Sequence, residues 1–293
     1  MASSTPLARP AMPKLAFPAL ILANIILAMG PVLVRLADVG PVAAAFWRLA
    51  LALPFLLILA VPGLRRAQLS GRQWGALVGA GLFFAADLAS WHIGIGHTKV
   101  ANATLFGNVS ALALPLWAIV MLRQRPQGMQ VVALALAAVG AAILMGGSYE
   151  LSPRNLYGDM FCVLAGLFYA AYLLTVQDAR QRLDSWSVLA VSSVAGVGPL
   201  LVTALMLGER VMPGNWTPVI ALALSSQLIG QGLLTYALGW FSPLILGLSL
   251  LLQPAVSALV AWFLFHEMLT VTDLVGAIAV AIALILVRLP ARA

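Results

Sequence analysis

Charge is what this sequence has least of. Of 293 residues, 9% are charged and 62% are hydrophobic. A soluble domain carries about 25% charged residues, so this chain cannot cover a water-facing surface of its own size. A disordered chain is excluded as well, because it combines high charge with low hydrophobicity. Cys162 is the single cysteine, which excludes an intramolecular disulfide. The only lysines are Lys14 and Lys99, and neither ends a G-x-x-x-x-G-K-[ST] phosphate loop, so direct use of ATP is not expected. The H-E-x-x-H and G-x-S-x-G patterns are missing, and Gly94-Ile95-Gly96 is too short to mark a nucleotide site. The acidic and histidine residues are too scattered for a metal cluster. No catalytic residue, metal or cofactor is therefore expected, and the chain reads as a non-enzyme. No helix is rich enough in arginine for a voltage sensor.

What is present is long apolar runs. Ten stretches of spanning length are separated by charge, Gly or Pro: 17–36, 41–61, 74–95, 99–121, 129–147, 157–177, 186–207, 216–238, 244–265 and 272–289. We number them helix 1 to helix 10. Each approaches the ~20 apolar residues a bilayer requires. The runs are continuous rather than alternating, which argues against a β-barrel. The first run lacks a convincing cleavage site and reads as a retained helix rather than a signal peptide.

The net charge of +7 fits membrane topology better than nucleic-acid binding. With the N-terminus inside, Arg9, Lys14, Arg65, Arg66, Arg72, Arg123, Arg125, Arg180, Arg182, Arg288 and Arg292 are cytoplasmic, leaving Lys99, Arg154 and Arg210 outside and Arg35 at the outer end of helix 1. That asymmetry predicts cytoplasmic termini. Ala and Arg richness suggests a bacterial source, hence a multi-pass protein of the inner (plasma) membrane.

Ten helices divide into two halves of five, 1–147 and 148–293. Helices 5 and 10 lack polar side chains within the span. The second helix of each half carries an interior proline (Pro54, Pro199), as does the fourth (Pro115, Pro254). Such prolines permit bends and are candidate hinges. An odd helix count inverts the second half relative to the first, a design common in secondary transporters. The expected fold is thus an all-α integral membrane protein, two inverted five-helix repeats around a central cavity, with helices 5 and 10 at the edge.

Polar residues at helical spacing mark the faces that turn inward, since a polar side chain is costly in hydrocarbon. Helix 1 offers Asn24, Ala28, Pro31 and Arg35. Helix 3 offers Phe84, Asp87 and Trp91, and helix 4 Thr104 and Asn108. Helix 6 offers Cys162, Gly166, Tyr169 and Tyr172, and helix 7 Ser192, Gly196, Pro199 and Thr203. Helix 8 offers Gln227, Gln231 and Thr235, and helix 9 Ser249, Gln253 and Ser257. For a lone Ser or Thr, bonding to a neighbouring helix is the simpler account. Gln227 and Gln231 are expected to face Gln253.

Asp87 stands out. It lies thirteen residues beyond Trp74, about 20 Å along the helix, and an acid at that depth is a functional candidate. It can hold a proton or a substrate ammonium. The alternative is an ion pair with Arg48, which could itself serve as a gate. Trp91, Tyr169 and Tyr172 can pack against an apolar or aromatic group, while Trp74, Trp186, Trp216 and Trp240 read as interface anchors. His92, His97 and His266 are expected to have ordinary surface roles near the outer ends, and Glu267 to cap or pair there.

Several stretches resemble the drug/metabolite transporter superfamily in its EamA-type branch. Ala101-Asn102-Ala103-Thr104-Leu105 through Pro115 resembles that family's fourth helix. Gln253-Pro254-Ala255 through Trp262 to His266-Glu267, with Gly276, resembles its ninth and tenth. Phe46-Trp47-Arg48 resembles its arginine-bearing second helix. Gln124 departs from the family, which often has a glutamate there. The resemblance implies a secondary transporter that exports small metabolites, and the length and aromatic-plus-amide lining are similar to the aromatic amino acid exporters.

The expected cargo is an amino acid, aromatic or otherwise apolar, exported by alternating access. Its candidate binding residues are Asp87, Trp91, Thr104, Asn108, Tyr169, Tyr172, Gln227, Gln231 and Gln253, with Arg48 as a gate or ion-pair partner. Expected partners are a small-molecule substrate and membrane lipid, with coupling to protons an open alternative to facilitated transport. No nucleic acid is expected, and the chain is read as a monomer or homodimer. Other readings are export of a nucleoside or vitamin, an intramembrane enzyme, or a non-transporting scaffold.

Overall fold

A computed structural model describes residues 12–95, 97–98, 106–146, 155–265 and 271–286. Helices occupy all ten expected stretches, wholly or in part, and no strand occurs among the described residues. Helix 1 runs Ala16–Leu36, helix 2 Pro41–Arg66, helix 3 Gly71–Ile95, helix 6 Leu156–Ala179, helix 7 Ser185–Met206 and helix 8 Thr217–Leu238. These six are each long and apolar enough to cross a membrane. Helix 4 is described over Val109–Val120 and helix 5 over Gly128–Gly146. Helix 9 comprises Pro243–Leu250 and Leu252–Phe265, and helix 10 is Val271–Leu286. Residues 99–105, including Lys99 and Thr104, lie outside the described residues, as do His266 and Glu267.

Local chemistry sets the helix starts. Pro41 and Pro243 occupy first-turn positions, where the missing N–H costs nothing. Asp184 caps helix 7: its carboxylate accepts from Ser187 N at 3.0 Å and from Ser187 Oγ at 2.6 Å. Helix 7 ends in a turn at Gly208, whose φ of +67° suits glycine.

The helix contacts show an internal symmetry. Helices 2 and 7 pack together, as do 4 and 9, and 5 and 10; each pairs with its counterpart five helices later. The pairing of helix 3 with 6 is mirrored by 8 with 1, that of 3 with 7 by 8 with 2, and that of 4 with 6 by 9 with 1. A pseudo-twofold axis relating the two halves generates this set of pairs. Helices 5 and 10 pack on each other at the edge and expose Val132, Val139, Val275 and Ile285. Many large apolar side chains face outward along the described helices, with Ile58 71% exposed, as lipid contact requires.

Close contacts use small residues. A β-carbon on Gly81 of helix 3 would collide with the Ser192 carbonyl of helix 7. One on Gly247 of helix 9 would collide with Pro115 Cδ and lie 2.7 Å from the Ala111 carbonyl oxygen. Pro115 cannot donate to that carbonyl, so Pro115 forms a seat against which helix 9 packs.

The prolines divide by environment. Pro115 and Pro254 are buried, whereas Pro54 and Pro199 are exposed on helices that continue unbroken. The interruptions fall elsewhere: at Ala28 and Met29 before Pro31, at Leu251 before Pro254, and in a π-helical segment of helix 8, Ala223–Gly230. These three sit together, since Ser257 Oγ donates to the Ala28 carbonyl at 3.0 Å and Gly30 lies against Ser226 Oγ.

One end of the bundle is tied shut between the halves. Glu209, in the connection between helices 7 and 8, accepts from the Val42 and Ala43 amides at 3.2 and 2.8 Å, capping helix 2. Gly40 N donates to the Arg210 carbonyl at 2.9 Å, and Trp47 Nε1 to the Val211 carbonyl at 2.7 Å. Asp38 accepts from the Gly214 and Asn215 amides and stands 3.8 Å from Arg210. Trp47 also meets Trp216 edge-on at 4.9 Å.

Candidate functional site

The polar side chains converge at the bundle's centre. Helix 2 brings in Arg48, whose Nε donates to Gln227 Oε1 on helix 8 at 3.1 Å. Gln227 Nε2 in turn donates to Ser193 Oγ on helix 7 at 3.0 Å. The Arg48 guanidinium lies over the Phe84 ring of helix 3, 5.5 Å from its centroid. Phe84 stacks on Tyr172 of helix 6 at 4.6 Å, and Tyr172 on Tyr169 at 5.9 Å. One cation is thus held by an amide on one side and by an aromatic stack on the other.

Asp87 lies one turn beyond Phe84, on the same helix. It is partly exposed, and it and Arg48 feel each other's charge. The alternative of an ion pair is not formed: no contact within 4.0 Å links the two, and Asp87 makes no hydrogen bond among the described residues. Arg48 is engaged by Gln227 instead, because the π-helical segment presents that amide to it. Apart from that Nε bond, the guanidinium makes no hydrogen bond among the described residues.

Helix 8 divides its two glutamines. Gln227 serves Arg48 and Ser193, whereas Gln231 Oε1 accepts no hydrogen bond among the described residues. The Tyr172 hydroxyl, Gln231 Oε1, Thr235 Oγ1 and Ser226 Oγ are buried without a hydrogen-bond partner among the described residues. Orphaned buried polar atoms are uncommon and mark a place where a further polar group can bind.

A second polar cluster joins helices 1 and 9. Gln253 Nε2 donates to Asn24 Oδ1 at 2.9 Å, and Asn24 Nδ2 donates to the Leu20 carbonyl and towards Ser249 Oγ at 3.4 Å. Gln253 therefore does not meet the glutamines of helix 8. Trp91 packs against Gly107, beside Asn108 at the start of helix 4, and Gly107 approaches Gly166 of helix 6. Thr104 lies outside the described residues.

Two expectations need correcting. His92 is buried, 6% exposed, with Nδ1 against the Leu88 carbonyl at 2.5 Å and Nε2 unpartnered, so it is no surface residue. Its position on the packed face of helix 3 accounts for this. On helix 7 the expected stripe holds only for Ser192 and Gly196, since Pro199 and Thr203 turn outward. Ser193, one residue off that stripe, was missed.

At the far end of helices 6 and 8, Arg180 Nε donates to the Thr235 carbonyl at 2.9 Å, and its guanidinium also reaches the Leu183 carbonyl. Burial lowers the Arg180 pKa from its ordinary value, and Asp184 offsets part of that. Gln177 Nε2 donates to the Phe241 carbonyl at 2.6 Å.

A lipid-facing helical bundle with a pseudo-twofold axis, interrupted helices and a polar centre defines a polytopic membrane transporter. The chain matches the EamA-like transporter family twice, over residues 14–146 and 156–289, and belongs to that family. It is similar to two uncharacterized transporters of Archaeoglobus fulgidus. The first is 28% identical over 207 residues, covering 70% of this chain and 73% of the relative. The second is 26% identical over 180 residues, covering 60% and 61%. A crystal structure of a protein at 15% identity superposes with a TM-score of 0.77, covering 93% of this chain and 96% of that one, which supports the fold.

Proposed function

We propose that this transporter exports amino acids with aromatic or other apolar side chains by alternating access. The reading is carried by the Asp87 carboxylate, which is partly open and makes no hydrogen bond among the described residues, beside a guanidinium held at only one nitrogen. An amino acid brings an ammonium and a carboxylate, and Asp87 with Arg48 offers complementary charges for both. Gln231 and the buried hydroxyls of Tyr172 and Thr235 add polar partners. Phe84, Tyr169, Tyr172 and Trp91 supply the apolar wall. A phosphate-bearing cargo is less well served, since Arg48 is the single cation of the described centre.

In this reading both termini are cytoplasmic, the membrane is a bacterial inner membrane, and the tied end of the bundle faces outward. Substrate enters from the cytoplasm while Glu209 and Asp38 hold the outer end closed. Two five-helix repeats, 1–147 and 148–293, exchange roles as the outer end opens. Helices 5 and 10 act as scaffold or as the contact of a homodimer. Asp87 is also the site through which a proton gradient would act.

The test is uptake into liposomes of a labelled panel: Phe, Trp, Met, Thr, a purine nucleoside and a sugar, with and without a proton gradient. Saturable amino-acid uptake is expected. Asp87→Asn should weaken it tenfold or more, given ~1.5–3 kcal/mol for a hydrogen bond to a charged group. No flux of any amino acid through folded, inserted protein would refute the reading.

A further inference from the structure

The end of the bundle opposite the Glu209 tie carries a groove unrelated to the centre. It has a volume of about 740 Å³ and lies between the end of helix 2 and the start of helix 7. Arg66 and Arg182 flank it, Gln68 and Trp186 line it, and its wall continues onto exposed Leu59 and Pro62. Its chemistry changes along its length: apolar and lipid-facing towards Leu59, cationic towards Arg66.

Three observations fix what fits there. Helix 2 has 26 residues, about 39 Å of rise, against a hydrocarbon core of about 30 Å. With one end tied at Glu209, the other places Arg66 at headgroup depth. Of the carboxylates nearby, Asp184 lines the groove but is engaged in capping helix 7, and Asp178 stands 3.4 Å from Arg182 in an exposed pair that a phosphate on Arg182 would displace. Arg66 has no hydrogen bond or ion pair among the described residues. The wall is apolar where acyl chains would lie, with Leu59 42% exposed. Basic pockets between membrane helices hold anionic headgroups in this way.

We propose that this groove binds one anionic phospholipid, its phosphate between Arg66 and Arg182 and an acyl chain along Leu59 and Pro62. The lipid bridges helices 2 and 7, one of the three pairs in which a helix packs on its own counterpart in the other half. At their ends these helices are packed closely: a β-carbon on Gly63 would collide with Asp184. Lipid occupancy therefore stabilises the juxtaposition of the two halves at this end. The proposal is independent of the cargo.

The test uses full-length protein in detergent, with lipid adducts counted by native mass spectrometry and thermal stability followed in parallel. Phosphatidylglycerol is expected to form a one-lipid adduct and to raise Tm, whereas phosphatidylcholine and inorganic phosphate at equal concentration do neither. In Arg66→Gln/Arg182→Gln the adduct should weaken roughly 30-fold, from about fivefold for each arginine near the membrane surface. Arg65→Gln/Arg125→Gln removes the same charge from exposed positions outside the groove and should leave the adduct intact. Equal binding of phosphatidylcholine, equal protection by phosphate, or equal loss in the two double variants would overturn the proposal. All three proteins fold if their lipid-free Tm values agree, as exposed arginines should allow.

Discussion

Removing the Glu209 carboxylate should loosen the tied end without unfolding the bundle. Glu209 is the hydrogen-bond partner of both the Val42 and Ala43 amides, at 3.2 and 2.8 Å. Each bond involves a charged acceptor, and such bonds contribute about 1.5–3 kcal/mol apiece when desolvated. The site is only part-buried, so the lower end of that range applies, and the two together amount to about 2–3 kcal/mol. The helix dipole, which favours a negative charge at this terminus, adds a few tenths to 1 kcal/mol. In Glu209→Ala the two amides lose their acceptor, and 2 kcal/mol corresponds to about a 30-fold faster exchange with solvent. Hydrogen–deuterium exchange of peptides across residues 37–47 reads this directly. Glu209→Gln retains one acceptor oxygen and should fall between. Peptides spanning 67–70, at the opposite end, should exchange as before. Unchanged exchange at 42–43 in Glu209→Ala, with Tm preserved, would refute the capping argument. Uniform acceleration throughout would show that Glu209 supports the whole fold rather than one end.

Two further perturbations separate packing from hydrogen bonding. Gly247→Val inserts a branched side chain where even a β-carbon meets Pro115, so it should destabilise the protein by about 1–3 kcal/mol, read as a lowered Tm. A double-mutant cycle on Asn24→Ala and Gln253→Ala should give a coupling near 0.6 kcal/mol, with an upper bound of about 1.7, measured as reversible unfolding in bilayers. Additive effects would show that the 2.9 Å bond does not hold helices 1 and 9 together.

The positions of the helices were legible because each is an uninterrupted apolar run bounded by charge, Gly or Pro. The helix 9 stripe was equally legible: Ser249, Gln253 and Ser257, four residues apart, all turn to helix 1. Helix 8 was misread at one point, since four-residue spacing places Gln227 and Gln231 on one face only while the helix stays regular. The π-helical segment wound around Gln227 alters that register, and nothing in its composition announces it. The Glu209 and Asp38 ties were invisible for another reason. Their partners lie 166 to 177 residues away in the opposite half, and they bond to backbone amides, which carry no sequence signature. Arg48 was recognised as a candidate gate, with Asp87 weighed only as an alternative partner; its bond to Gln227 was not foreseen, because an amide carries no charge to mark it.

The pairing of each helix with its counterpart bears on how the protein is made. Among the described residues, the extensive contacts run from one half to the other, while the largest contacts within the first half are the modest ones of helix 2 with helices 1 and 3. During synthesis helices 1 to 5 therefore enter the bilayer before most of their partners exist. Arg48 and Asn24 must then be sheltered by lipid, water or the insertion machinery until helices 8 and 9 arrive with Gln227 and Gln253. Chains truncated before helix 8 should accordingly be handed to membrane quality control rather than accumulate.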